Sequence, residues 1–202
     1  MSDVKCEVAV PSSNEDKLAW CHEGELRELT FIQLMNRCTH LQVEINPRKA
    51  TDKKAPDLLV PGYGECDLKA VQTPFFVSKR WGFDPYYAIT LNVKDVLRYR
   101  SFYPEMGIFF WVQWPEGISK DGKYTPLPYK WAVYFTTMGE VLSMIDQGIA
   151  HCHSYEKRVE QDTDPWLKER GMTNSGNAAA SYILDTRWMT PIAVTSKDPR
   201  AA

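Results

Sequence analysis

The chain has 202 residues, with 24 Lys and Arg against 26 Asp and Glu, for a formal charge of -2 and a pI near 6.1. With 44% hydrophobic and 12% aromatic residues, seven Trp among them, it is too apolar for an intrinsically disordered chain and too acidic for a histone-like polycation. No run of about 18 apolar residues offers a membrane span, and the charged stretch Met1–Asp16 lacks the apolar core of a secretory leader. Five cysteines at odd, wide spacing (Cys6, Cys21, Cys38, Cys66, Cys152), with no CxxC, argue against a disulfide framework or a four-Cys zinc site. The expectation is a reduced, cytoplasmic, single-domain protein over 1–202, with a core at about 25–150 and a C-terminal extension at 151–202.

In chain order, Ser13–Leu29 is charged and in part helical, and Thr30 with Gln33 fits a capping box ahead of Phe31, Leu34, Met35, Cys38 and Leu41. That spacing predicts a helix over about 30–41. Leu41–Asn46 alternates as a half-solvated strand, and Pro47–Pro56 is a basic loop. Asp57–Val60 and Glu65–Gln72 read as a β-hairpin around the turn residues Pro61-Gly62-Tyr63-Gly64. Tyr86–Leu91 is strand-like, and Asn92 is placed to cap a helix through Val93, Val96, Leu97 and Tyr99. Ile108–Trp114 is the strongest strand, apolar on both faces. Trp131–Phe135 is a further strand, and Thr137 with Glu140 forms a second capping box. The tail after Asp162 reads as irregular, with one short strand at Tyr182–Leu184. The class is α/β or α+β, a mixed sheet flanked by helices.

Chemistry concentrates in the hairpin. Asp67 and Lys69 share one strand face, Glu65 joins them by parity, and pairing brings Asp57 alongside. Hard carboxylate oxygens of this kind suit Mg²⁺, which takes one or two protein carboxylates plus substrate phosphate. An adjacent lysine then aligns or deprotonates a water, or neutralises a phosphodiester transition state.

Pro56-Asp57, nine intervening residues and then Asp67-Leu68-Lys69 resemble the signature of the PD-(D/E)XK nuclease superfamily. The similarity covers about residues 25–114. It implies a restriction-endonuclease-like mixed sheet and Mg²⁺-dependent (or Mn²⁺-dependent) endonuclease activity on DNA. It further implies metal binding by Asp57, Asp67 and the Leu68 carbonyl, a catalytic Lys69 and a possible homodimer, while Glu65, by its parity, is placed as a third acidic ligand, directly or through water. An acidic residue from the first helix or strand, Glu25 or Glu44, is expected to complete the site. The strand at 86–91 is one more than that core contains. The plain alternative is a surface ion pair between Asp67 and Lys69 worth under about 1 kcal/mol, in an inactive nuclease-like fold that serves as a nucleic-acid or protein binding module.

DNA contacts are expected from Arg48, Lys49, Lys53 and Lys54 in the basic loop and from Lys79 and Arg80, with Arg98 and Arg100 as further cations. Many such charges are merely solvated. Phe75, Phe76, Trp81, Phe83, Tyr86 and Tyr87 suit core packing first and base stacking second. Gln72 has the wrong parity to join Lys69. His151-Cys152-His153 lacks a second cluster and reads as a turn after a helix rather than a zinc site.

Overall fold

The computed structural model describes residues 17–52, 54–117, 124–154 and 180–195. Helix α1 (Lys17–Cys38) leads to strands β1 (Glu44–Ile45), β2 (Leu58–Val60), β3 (Gly64–Val71) and β4 (Ala88–Asn92). Helix α2 (Val93–Phe102), strands β5 (Gly107–Trp114) and β6 (Lys130–Thr137) and helix α3 (Met138–Asp146) follow. Strands β7 (His151–Ser154), β8 (Ala180–Asp185) and β9 (Thr190–Thr195) complete the order. A six-stranded sheet runs β1-β2-β3-β5-β6-β9, and a three-stranded sheet runs β4-β8-β7. β3 pairs with β5 in parallel, while β2 and β6 join them antiparallel. This is the helix-flanked mixed sheet of an α/β protein.

Strand parity divides the interior into two cores. β5 sends Ile108, Phe110, Val112 and Trp114 to a core shared with α2, α3 and β4, and Phe109 and Trp111 to a core under α1. In β3, Cys66 and Leu68 enter the α1 core beside Phe31, Leu34 and Met35. Asp67 and Lys69 must therefore face the α2 side.

Several local expectations change. Thr30 caps nothing: α1 already begins at Lys17, and the Thr30 hydroxyl donates back to the Leu26 carbonyl at 2.8 Å. β1 shrinks to two residues because the Asn36 side chain bonds both backbone groups of Val43 (2.7 and 3.0 Å) and Asn46 caps the 3-10 turn Pro47–Ala50. The hairpin forms as read, with Gly62 at φ 83 after Pro61 and the Tyr63 N–H donating to the Val60 carbonyl. The Thr137–Glu140 capping box is present in both directions. Asn92 sits at the N-cap of α2, but its side chain accepts from the Ser181 hydroxyl instead.

The surplus strand β4 belongs to the second sheet, paired with β8. The tail is more regular than expected, since β9 closes the large sheet against β6, and His151–Ser154 is a strand rather than a turn. No helix among the described residues is long and apolar enough to cross a membrane.

Two tight spots hold the sheets. Gly107, opposite Cys66 and Thr137, leaves no space: a Cβ there would lie 2.5 Å from the Phe135 ring and 2.8 Å from Cys66 Sγ. Lys130 is 3% exposed; its ammonium donates to the Tyr86 carbonyl and lies 4.4 Å from the Tyr86 ring centroid and 5.2 Å from those of Trp114 and Tyr134. Burial pushes this amine down to about 8, against the pull of Asp185 and Asp84.

Gly107→Ala is therefore expected to lower stability by about 1–3 kcal/mol through overpacking, read from the urea midpoint. Between pH 8 and the free lysine value the unfolded chain binds more protons at Lys130 than the native one, so native stability rises with pH. Relative to Lys130→Met, the wild-type unfolding free energy should gain between about 1 and 2 kcal/mol from pH 8 to about 9.5; a flat difference would refute the buried charge.

Candidate active site

The hairpin register sets Leu58 opposite Cys66, and one step further brings Asp57 beside Asp67, where β2 has ended. There Asp57 Oδ2 accepts the Leu68 N–H at 3.1 Å, and Oδ1 accepts from Lys49 Nζ at 2.8 Å. Lys49 Nζ also reaches Glu28 Oε2 of α1 at 2.6 Å. On the α2 side, Lys69 Nζ lies 2.8 Å from Asp67 Oδ2 and 3.2 Å from Asp95 Oδ2. The Lys69–Asp67 contact is an ion pair whose direction is not that of a hydrogen bond. Arg98 stands 3.4 Å from Asp95 and donates to the Tyr99 hydroxyl at 2.9 Å. The Tyr99 ring lies 5.4 Å beneath the Lys69 ammonium.

The site thus interleaves four carboxylates (Glu28, Asp57, Asp67, Asp95) with two ammonium groups. Burial raises the Asp67 carboxyl, and the Asp57 charge adds to this while Lys69 opposes it. Burial also works against the Lys69 ammonium, yet Asp67, Tyr99 and Asp95 outweigh it and hold this amine well above its ordinary value. Glu28 is raised by burial, partly offset by its bond from Lys49, and Lys49 is itself raised because Asp57 and Glu28 outweigh its burial. Burial and the Asp67 charge raise the Tyr99 phenol. Both lysines consequently stay protonated near neutrality; Lys49 donates to Glu28 and Asp57, while Lys69 is paired by charge with Asp67 and Asp95.

Would a divalent cation fit? Asp57 and Asp67 offer hard carboxylate oxygens, and burial raises the Asp67 carboxyl with a smaller contribution from the Asp57 charge. Among the described residues no three acidic, histidine or cysteine side chains converge as a ready-made metal cage. Mg²⁺ needs no such cage, because it keeps most of its waters and accepts one or two carboxylates. Asp57 and Asp67 are carboxylates of that chemistry, and both Asp57 oxygens already accept, from the Leu68 N–H and from Lys49.

Other predicted residues are disposed differently. Glu65 shares the Asp67 face, but its carboxylate is engaged by Arg48 (3.0 Å to each oxygen) and by Asn46 (2.9 Å), so Arg48 is not a free cation. Lys49 lies inside the acidic cluster rather than on an open loop. Lys54, Lys79, Arg80 and Arg100 are exposed, while Arg98 belongs to the site. Lys53 lies outside the described residues. Glu25 and Glu44 are exposed, and Glu28 is the α1 carboxylate that reaches Asp57 through Lys49. Gln72 accepts from Arg27 of α1 at 2.9 Å, on the face that its parity assigns.

Glu28, Asp95 and Tyr99 escaped the sequence reading. Asp95, Arg98 and Tyr99 stand at i, i+3 and i+4 of one helix, and that spacing was their available signal. Beyond Lys69 and Asp95 a cleft of about 390 Å³ continues past Gln72, Thr73, Pro74 and Phe75.

Neither a family model nor a curated protein matches the chain. Among solved structures, a nuclease from a fusselovirus is similar at a TM-score of 0.39 and 10% identity, over 90% of this chain and 89% of that one. A likeness this slight carries no argument, so function has to be argued from the site.

Lys49→Met leaves Glu28 and Asp57 facing each other without their shared cation. Its expected cost is about 2 kcal/mol near neutral pH, for partly buried groups. Because the Glu28 carboxyl is already raised, the unpaired variant should recover part of that loss in mild acid as Glu28 takes up a proton. Urea unfolding at the two pH values checks it; a loss independent of pH would point to lost packing instead.

Proposed function

We propose that the protein is a Mg²⁺-dependent DNA endonuclease of the PD-(D/E)XK kind, working in a reducing, cytoplasmic setting and as a homodimer when it cuts both strands. The observation that carries this reading is the convergence of Asp57, Asp67 and Lys69 at the open end of the hairpin, with Asp57 anchored on the backbone N–H of Leu68 between the other two.

Asp57 and Asp67 would hold the metal, with the Leu68 carbonyl as a further oxygen donor. When bound, Mg²⁺ supplies a Lewis acid for the phosphoryl oxygens and lowers the pKa of a water. Lys69, protonated and steered by Asp95 from α2, donates a hydrogen bond that orients the attacking water in line with the scissile phosphate and offsets charge developing there. Asp95 is a positioning residue in this scheme. Glu65 holds the basic turn beside the site through Arg48 and Asn46. Lys54, Lys79 and Arg80 supply phosphate contacts at the rim.

A second reading has its own observation. Lys49 already bridges Glu28 and Asp57, so half of the acidic cluster is neutralised by the protein itself. In a pure binding module both lysines would be such fixed counter-charges.

Plasmid incubated with Mg²⁺ or Mn²⁺ decides between them. The nuclease reading expects nicking that EDTA stops, and a loss of about 100-fold or more in Asp67→Asn and in Lys69→Ala with the fold intact by circular dichroism. An undiminished rate in either variant refutes the assignment, and DNA binding with no cleavage in either metal favours the module.

A further inference from the structure

The cleft that begins at Lys69 does not end in a polar wall. Its far rim is Phe75, whose ring is nearly parallel to that of Trp81, 6.4 Å between centroids and 9° between planes. His153 lies against both rings, at 5.0 and 5.2 Å, and His151 lies 5.5 Å from Trp81. On the other side of Trp81 a second cleft of about 300 Å³ opens, lined by Trp81, Phe83, His151, Asp185 and Trp188. Trp188 is 62% exposed. Rings in a core close their voids, whereas these line two open hollows, each near the lower size of a ligand pocket.

Trp81 also ends the 3-10 turn Phe76–Trp81, which presents Lys79 and Arg80 to solvent. Stacking faces and exposed cations therefore alternate over one short segment, the combination that takes bases on rings and phosphates on ammonium and guanidinium groups. A base can cover an aromatic face only when it is out of its own duplex stack.

Building on the nuclease reading, we infer that the substrate is DNA with an unpaired strand, and that this strand runs from the Lys69–Asp95 end of the first cleft across Phe75 and Trp81 to Trp188. Its bases stack on the rings, and Lys79 and Arg80 hold its phosphates.

The test uses the full chain in EDTA, so that nothing is cut, with fluorescein-labelled oligo-dT and a blunt duplex of equal length read by anisotropy. The single strand should bind more tightly than the duplex. Trp81→Ala and Trp188→Ala should each weaken it about ten-fold, and Trp81→Phe should keep most of the affinity. Replacing Lys79 and Arg80 by Ser should reduce the slope of log affinity against log salt by about 1.4. Equal affinity for the duplex, unchanged affinity in both alanine variants with native near-UV circular dichroism, or an unchanged salt slope overturns the inference. Aromatic-dependent strand binding by a protein that nicks nothing in Mg²⁺ or Mn²⁺ removes the nuclease reading and upholds the strand track. Duplex cleavage indifferent to both tryptophans does the reverse.

Discussion

β3 is paired on both edges, antiparallel to β2 and parallel to β5, so its side-chain parity cannot slip without breaking two ladders. A shift by one residue would drive Asp67 and Lys69 into the α1 core and turn Cys66 and Leu68 out of it. The dryness of that core is visible in Cys66, whose thiol burial pushes up to about 12. Burying an unpaired carboxylate in such surroundings costs several kcal/mol. Apolar packing on one side of β3 thereby fixes where the acid and the amine on its other side point. Gly107 tightens the constraint, because it lets β5 and the Phe135 ring close directly over Cys66.

Charge then organises what parity has aimed. Each ammonium serves two carboxylates from different elements: Lys49 joins α1 to the start of β2, and Lys69 joins β3 to α2. Groups this buried persist only when paired, so each lysine also ties its helix to the sheet. Lys69 is held before any ligand arrives, by an acid beside it on its own strand and another from a rigid helix. Preorganised donors of this kind need no rearrangement as charge develops in a reaction. The two clusters meet through Asp57, whose second oxygen rests on the Leu68 N–H.

Sequence alone carried the hairpin, because Pro61, Gly62 and two alternating flanks are local information, and Asp57, Asp67 and Lys69 came with it. Glu28 and Asp95 lay out of reach for a different reason. They reach the site from helices whose rotation against the sheet is decided by apolar contacts such as those of Phe31 and Val96, and only tertiary packing reveals which polar residue then points inward. Lys49 looked like a loop cation because the capped turn at Asn46, which folds it back onto Asp57, is a side-chain effect of one residue. The partners of β4 were hidden because alternation identifies a strand's faces and says nothing about its neighbours. β9 was obscured by Pro191, tolerated where the strand is at a sheet edge and the register shifts.

The connection from β3 to β5 joins these observations. Parallel neighbours require a long crossover, and this one carries the Phe76–Trp81 turn, β4 and α2. It returns Asp95 to the Lys69 that it left behind, and it places β4 as the strand on which β8, and through it β7, assemble. The histidines of β7 consequently stack on Trp81, a residue only twelve positions beyond Lys69 in the chain. One crossover therefore completes the charged cluster at its far end and builds the aromatic wall near its beginning. Substitutions within residues 72–87 should alter the wall while leaving the carboxylates in place, because β3 and α2 are each anchored in a separate core of their own.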